Sequence, residues 1–201
     1  MPSLTRSILK RVLPRPLRLW TKEILNERRV RGSPARMVLV DQILPAYAAS
    51  AGQILWVGCR RYTRNYGSLL ERNGGECWTT DIEITHAQWG QPGRHFTWDL
   101  VSIDTLIAAG AFDTVLCNGV FGFGVDARAA QLAALKAMGR ILKPGGRLLL
   151  GWNTDRVEDP LTFDFVQSAF VADASFPLGP RHAVPAAGYV FDFLRRTENQ
   201  A

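Results

Sequence analysis

Met37, Val38, Val40, Ile43 and Leu44 recur at helical spacing, and Ser50-Ala51-Gly52 closes that stretch. The period then changes. Residues 53–57 form an apolar run of strand length, residues 62–72 read as a helix stopped by Asn73-Gly74-Gly75, and CWTTD is a strand ending at Asp81. Strand, helix and strand within about thirty residues predict a βαβ unit, because parallel strands need a crossover of that size. The alternation continues with a short strand over 95–100 that contains Asp99, a buried strand over 112–118 and an Ala- and Leu-rich helix over 127–142. Lys143-Pro144-Gly145-Gly146 ends that helix, since Pro and Gly do not continue it, and residues 147–153 form another apolar strand.

Beyond this point a helix is expected over 160–172, burying Leu161, Phe165, Val166, Ala169 and Phe170. The last stretch, GYVFDFLRR, alternates at Tyr189, Phe191 and Phe193, which suits a strand with one covered face added antiparallel to the sheet. The fold class is therefore α/β, a Rossmann-like doubly wound sheet that is mostly parallel with a C-terminal antiparallel strand.

Charge divides the chain. Ten of its 24 bases and only two acids lie in residues 1–36, so the formal +6 belongs to the N-terminal segment, whereas the rest is slightly acidic. We divide the chain into a basic amphipathic segment, 1–35, and a domain, 36–201. Leu4, Ile8, Val12, Leu13, Leu17, Leu19 and Trp20 alternate with the bases, which suits either peripheral contact with an anionic membrane surface or a helix capping the domain; we prefer the latter. No nucleic-acid motif follows, and nucleic acid is not an expected partner. Cys59, Cys77 and Cys117 are far apart and lie in or beside apolar runs, as reduced thiols of a cytoplasmic protein do; no cysteine or histidine spacing predicts a metal site.

In an open α/β sheet, ligands bind beyond the carboxyl ends of the strands. The candidate residues are thus Gly58 with residues 60–63, Asp81 with Glu83, Asp99, Asn118, and Trp152 with Asn153. Asp81, about twenty residues past a Gly-containing first turn, is placed to accept hydrogen bonds from ribose hydroxyls, or else caps a helix. Asp99 can meet an adenine amino group or serve its own turn.

Over residues 53–153 the chain resembles the class I S-adenosylmethionine-dependent methyltransferases, most clearly in FDTVLCNGVFGFGVD followed by RILKPGGRLLLGWN. The resemblance implies a seven-stranded sheet, S-adenosyl-L-methionine as cofactor, Gly58 and Cys59 in the loop at its methionyl part, and Asp81 with Ile82 at the ribose. It further implies Asp99 with Leu100 near the adenine and Asn118 beside the sulfonium. Two departures stand out: Trp56 replaces an acid that holds the cofactor's amino group, and Arg60 and Tyr62 stand where the family has glycines. Either the loop is displaced, with Arg60 or Arg61 pairing with the cofactor's carboxylate and Tyr62 packing on it, or these side chains fill the pocket and the domain is catalytically silent.

Methyl transfer is an in-line displacement that needs positioning more than acid-base chemistry, and a base only for acceptors that must lose a proton. His86, His95 and His182 are the candidate bases, each more simply a structural residue, and no catalytic residue is assigned. Trp152, Asn153, Arg181 and His182 are the expected substrate-binding residues, and residues 119–124 form either an aromatic lid or a close-packed turn. The expected function is transfer of a methyl group to a small-molecule, glycan or lipid-linked acceptor. A non-catalytic partner protein is the alternative; a nicotinamide oxidoreductase ranks last, for want of a GxGxxG loop.

Overall fold

The computed structural model describes Val30 and residues 32–198. The amphipathic run from Leu4 to Trp20 lies outside the described residues. The chain begins with α1 (Pro34–Val38), capped by Ser33, whose Oγ accepts from the Arg36 amide at 3.3 Å. It passes through a π-helical turn (Leu39–Ile43) into α2 (Leu44–Ala48) and then β1 (Gly52–Val57). There follow α3 (Tyr66–Leu70), β2 (Gly75–Asp81), β3 (His95–Thr97), β4 (Phe112–Asn118), α4 (Arg128–Ile141), β5 (Leu142–Asn153), α5 (Asp164–Ala169), β6 (Phe170–Ala172), β7 (Arg181–Val184) and β8 (Tyr189–Arg196).

The sheet runs β3-β2-β1-β4-β5-β8-β6, with β7 also paired to β8. Strands β1 to β5 are parallel to one another and β8 lies antiparallel between β5 and the edge. The expected seven strands become eight because two short strands share one edge position: β6 pairs with residues 194–196 of β8 and β7 with residues 189–192. Both faces of the sheet are covered. Leu55, Val57, Val115, Cys117, Leu148 and Leu150 pack with α4 and α5, while Ile54, Trp56, Leu116, Leu149, Phe191 and Phe193 pack with α1, α2 and α3. Such two-sided burial is why the central strands read as continuous apolar runs.

Four elements depart from the expectation. The helix expected over 62–72 is broken: a 3₁₀ turn (Arg61–Thr63), with the Thr63 hydroxyl accepting from the Arg60 amide at 3.0 Å, precedes α3. The helix expected over 160–172 is the single helix α5 flanked by a 3₁₀ turn (Pro160–Thr162) and β6. Pro144 and the two glycines lie inside β5, in an irregular segment between the Phe112 and Thr114 pairings, where Gly145 takes a φ of +71°. Strand β8 is buried on both sides, because Val190, Asp192 and Leu194 face the α4 layer while Phe191 and Phe193 face the other.

Candidate active site

The strand order reverses between β1 and β4, and a cleft of about 880 Å³ opens there at the carboxyl ends. That volume lies within the range of roughly 300–1,000 Å³ usual for small-molecule sites. Gly58 follows β1 at a φ of +87° and Gly119 follows β4 at +66°, so both loops turn where no Cβ crowds the backbone. Gly58, Arg60, Tyr62, Asp81, Ile82, Asp99, Leu100, Asn118 and Asn153 all line the cleft. Trp98, 41% exposed, and Ile82, 62% exposed, give it an apolar rim.

Asp81 is the best-connected group of the site. Its Oδ2 accepts from the Cys59 amide at 2.7 Å and from Arg60 Nη1 at 2.8 Å, and its Oδ1 accepts from the Glu83 amide at 2.9 Å. His86 Nδ1 stands 3.1 Å from Oδ1 and 2.7 Å from Arg60 Nη1. One ring nitrogen serves these neighbours one at a time, as donor to Asp81 or as acceptor from Arg60. Burial alone raises the Asp81 pKa, but the two amides, His86 and Arg60 outweigh it and hold the carboxyl below its ordinary value. The group is therefore a carboxylate, a pure acceptor, at neutral pH.

Asp99 caps the 3₁₀ turn (Leu100–Thr105), its Oδ1 accepting from the Val101 amide at 3.1 Å, so the turn role and a place on the cleft coexist. Asn118, 8% exposed, ends β4; its Oδ1 accepts from the Tyr189 hydroxyl at 3.1 Å. Its Nδ2 makes no hydrogen bond among the described residues. Burial raises the Tyr189 pKa, which keeps the phenol protonated as a donor.

Arg60 turns to Asp81, and the ring of Tyr62 lies under the guanidinium of Arg36, whose carbon is 4.9 Å from the ring centroid. Arg61 does not line the cleft. Trp56 is 2% exposed, packs edge-on to Tyr66 and donates its indole N–H to the Gly58 carbonyl at 2.6 Å. A buried indole thus braces the loop where the family's acid was expected. Cys59 is fully buried, and burial pushes its thiol up to about 12, so it contributes its backbone amide and no nucleophile.

Several expected residues are elsewhere. Trp152 is a buried residue of β5 and donates to Asp192 Oδ2 at 2.9 Å; Arg181 bridges Asp192 and Asp159. Neither lines the cleft, nor does His182, which sits on β7 opposite Phe191. Pairing of β7 with β8 turns Arg181 toward a buried carboxylate. His95 lies beneath the β2 and β3 ends, with Nδ1 2.9 Å from Thr79 Oγ1, and none of the three histidines lines the cleft. Residues 119–124 form a tight turn held by the Phe121 and Val125 bridge, and Gly119, Val120, Gly124 and the exposed Phe123 line the cleft.

Arg36, Trp98 and Tyr189 line the cleft without having been expected there. The sole sequence signal for Arg36 is its place three residues after a Ser-Pro helix start, ahead of the first strand.

The sequence matches no family model and no curated protein. Its structure is similar to that of the N-methyltransferase NodS from Bradyrhizobium japonicum WM9, at a TM-score of 0.60 and 15% identity over 84% of this chain and 99% of that one. It is also similar to 1,6-didemethyltoxoflavin-N1-methyltransferase from Burkholderia thailandensis, at 0.56 and 19% identity over 92% of each chain. A TehB-like methyltransferase from Corynebacterium glutamicum ATCC 13032 Kitasato scores 0.56 at 17% identity, over 88% of this chain and 99% of that one. The fold is that of the class I S-adenosylmethionine-dependent methyltransferases. NodS and the toxoflavin enzyme have been crystallised with S-adenosylhomocysteine. In the methyltransferase fold of this chain, the cleft, its two glycine turns and the three strand-end groups Asp81, Asp99 and Asn118 fit an adenosyl ligand. The exception is that Arg60 and His86 already occupy the side-chain contacts of Asp81.

Proposed function

We propose that the protein binds S-adenosylmethionine in this cleft and transfers its methyl group to a small-molecule acceptor. The observation that carries the reading is the juxtaposition of Asp81, Asp99 and Asn118 on one cleft of about 880 Å³, each at the end of its own strand or just beyond it. Three polar side chains drawn to an open cavity are paid for by a ligand better than by water alone.

S-adenosylmethionine supplies an electrophilic methyl group on a sulfonium. Asp81 is a carboxylate suited to a ribose diol, once Arg60 yields its place. Asp99 and Leu100 flank the space assigned to the adenine, with Ile82 and Trp98 as apolar walls. Tyr189 fixes the Asn118 amide by occupying its carbonyl oxygen, leaving the amide N–H groups to the cleft. With no histidine on the cleft, we assign catalysis to positioning and water exclusion, which favours an acceptor nucleophile that needs no strong base.

The alternative is a non-catalytic methyltransferase-like partner protein, and one observation favours it: the Asp81 carboxylate is saturated by the protein's own groups. Isothermal titration with S-adenosylmethionine and S-adenosylhomocysteine decides between them. Micromolar binding that falls at least tenfold, about 1.4 kcal/mol, in Asp81→Ala is expected. Absence of binding by the folded protein leaves the partner-protein reading.

A further inference from the structure

Three arginines line the cleft, and their charges are answered differently. Arg60 is paired with Asp81. Arg156 lies exposed on the outer rim over Phe123, where water answers its charge. Arg36 is half-buried in the wall, with its guanidinium carbon over the Tyr62 ring and Nη1 donating to the Tyr66 hydroxyl at 3.4 Å. Among the described residues no carboxylate lies within 4 Å of it, and Nε and Nη2 have no partner.

A guanidinium stays charged at any physiological pH, so partial burial does not neutralise it. Desolvation without a counter-ion is costly, and phenols and ring faces offset only part of that cost. The Tyr62 ring and the Tyr66 hydroxyl hold the guanidinium in place on the wall. What remains is an edge of N–H donors of the planar kind that binds carboxylates in bidentate fashion.

We propose that Arg36 is the carboxylate anchor of the cleft. The carboxylate belongs either to the amino-acid end of the cofactor or to the acceptor, and the assignment rests on the cofactor reading only in the first case. Arg36 takes over the charge recognition that sequence analysis had given to Arg60 or Arg61. It does so from α1, a separate element from the loop after β1.

The test titrates S-adenosylhomocysteine and 5′-methylthioadenosine, the same thionucleoside without the amino-acid end, into wild type and Arg36→Met. If the anchor serves the cofactor, Arg36→Met weakens S-adenosylhomocysteine tenfold or more and leaves 5′-methylthioadenosine unchanged. If it serves the acceptor, both nucleosides bind the variant as before, and succinate binds wild-type protein saturated with S-adenosylhomocysteine but not the saturated variant. Should wild type bind neither nucleoside, the methyltransferase reading falls, while succinate binding lost in Arg36→Met still upholds the anchor. Nucleoside and succinate binding that are both indifferent to Arg36, or an equal loss of both nucleosides, overturns the proposal. Arg36→Lys, which keeps the charge but not the planar fork, replaces the methionine variant if that one does not fold, and is expected to show a smaller loss of the same kind.

Discussion

Arg60 Nη1 lies 2.8 Å from Asp81 Oδ2, so the cleft's principal acceptor is held by a residue only two positions past the first-strand glycine. The contact is asymmetric. Asp81 is 4% exposed and anchored by two backbone amides, whereas the Arg60 side chain is 42% exposed and swings from a loop. Solvent around the exposed Arg60 side chain screens the pair and holds its contribution to about 1 kcal/mol. Arg60 is therefore a displaceable occupant of the Asp81 carboxylate, and under the proposed function a ligand's hydroxyls compete with it.

From this competition follows the response of Arg60→Ala. Removing a competitor raises ligand affinity, so S-adenosylhomocysteine is expected to bind about three- to fivefold more tightly than to wild type, within the ~1 kcal/mol that such a pair is worth. Titration calorimetry reads this directly. Weaker binding in a folded variant shows that Arg60 contacts the ligand instead of guarding its place.

The Asp81 carboxyl is held below its ordinary pKa, burial opposing and its hydrogen bonds prevailing. A depressed carboxyl contributes stability above its unfolded pKa and loses it as pH falls through that value toward the folded one. Asp81→Asn should thus melt below wild type at about pH 6, and the gap should close as pH drops below about 4. Melting curves of the two proteins across that range provide the check. A gap that instead widens in acid contradicts the assignment of the charged form.

Sequence showed the parts of this molecule whose physics is local. The strands β1, β4 and β5 are legible because two-sided burial demands unbroken apolar runs such as ILWV and LLLG. Asp81, Asp99 and Asn118 are legible because strand ends on a parallel sheet share one rim. What stayed hidden depends on distant pairing. Nothing around Arg181 announces a buried Asp192, since only the β7 and β8 register brings them together. Likewise Arg60 reads as an obstacle to a cofactor until the fold sets it against Asp81, and Arg36 is silent until α1 lies over Tyr62.

The Arg181 network makes a separable prediction. Asp192 is fully buried, and burial raises its pKa despite the Arg181 and Trp152 bonds, so its charge depends on Arg181. Arg181→Met is expected to cost about 3 kcal/mol in urea unfolding, because it strands a buried carboxylate; adding Asp192→Leu should recover part of the loss. S-adenosylhomocysteine affinity should change little in either variant, since neither residue lines the cleft.

Gly151 ties the sheet to the Asn118 side of the cleft. It lies in β5 between Asn118 of β4 and Phe191 of β8, and a Cβ there would stand 2.2 Å from Asn118 Oδ1 and 3.0 Å from the Tyr189 hydroxyl. Asn118 must move to admit it, which breaks the bond to Tyr189. Gly151→Ala is therefore expected to cost about 1–3 kcal/mol through overpacking. It should also weaken S-adenosylhomocysteine severalfold. Gly139→Ala is the matched control: its Cβ would meet only ring edges of Phe165 and Phe170 at 3.3–3.6 Å, and the helix gains about 1 kcal/mol in propensity. That variant should hold both stability and affinity near wild type. Urea unfolding and calorimetry on the pair separate damage to the Asn118 position from the general cost of filling a glycine.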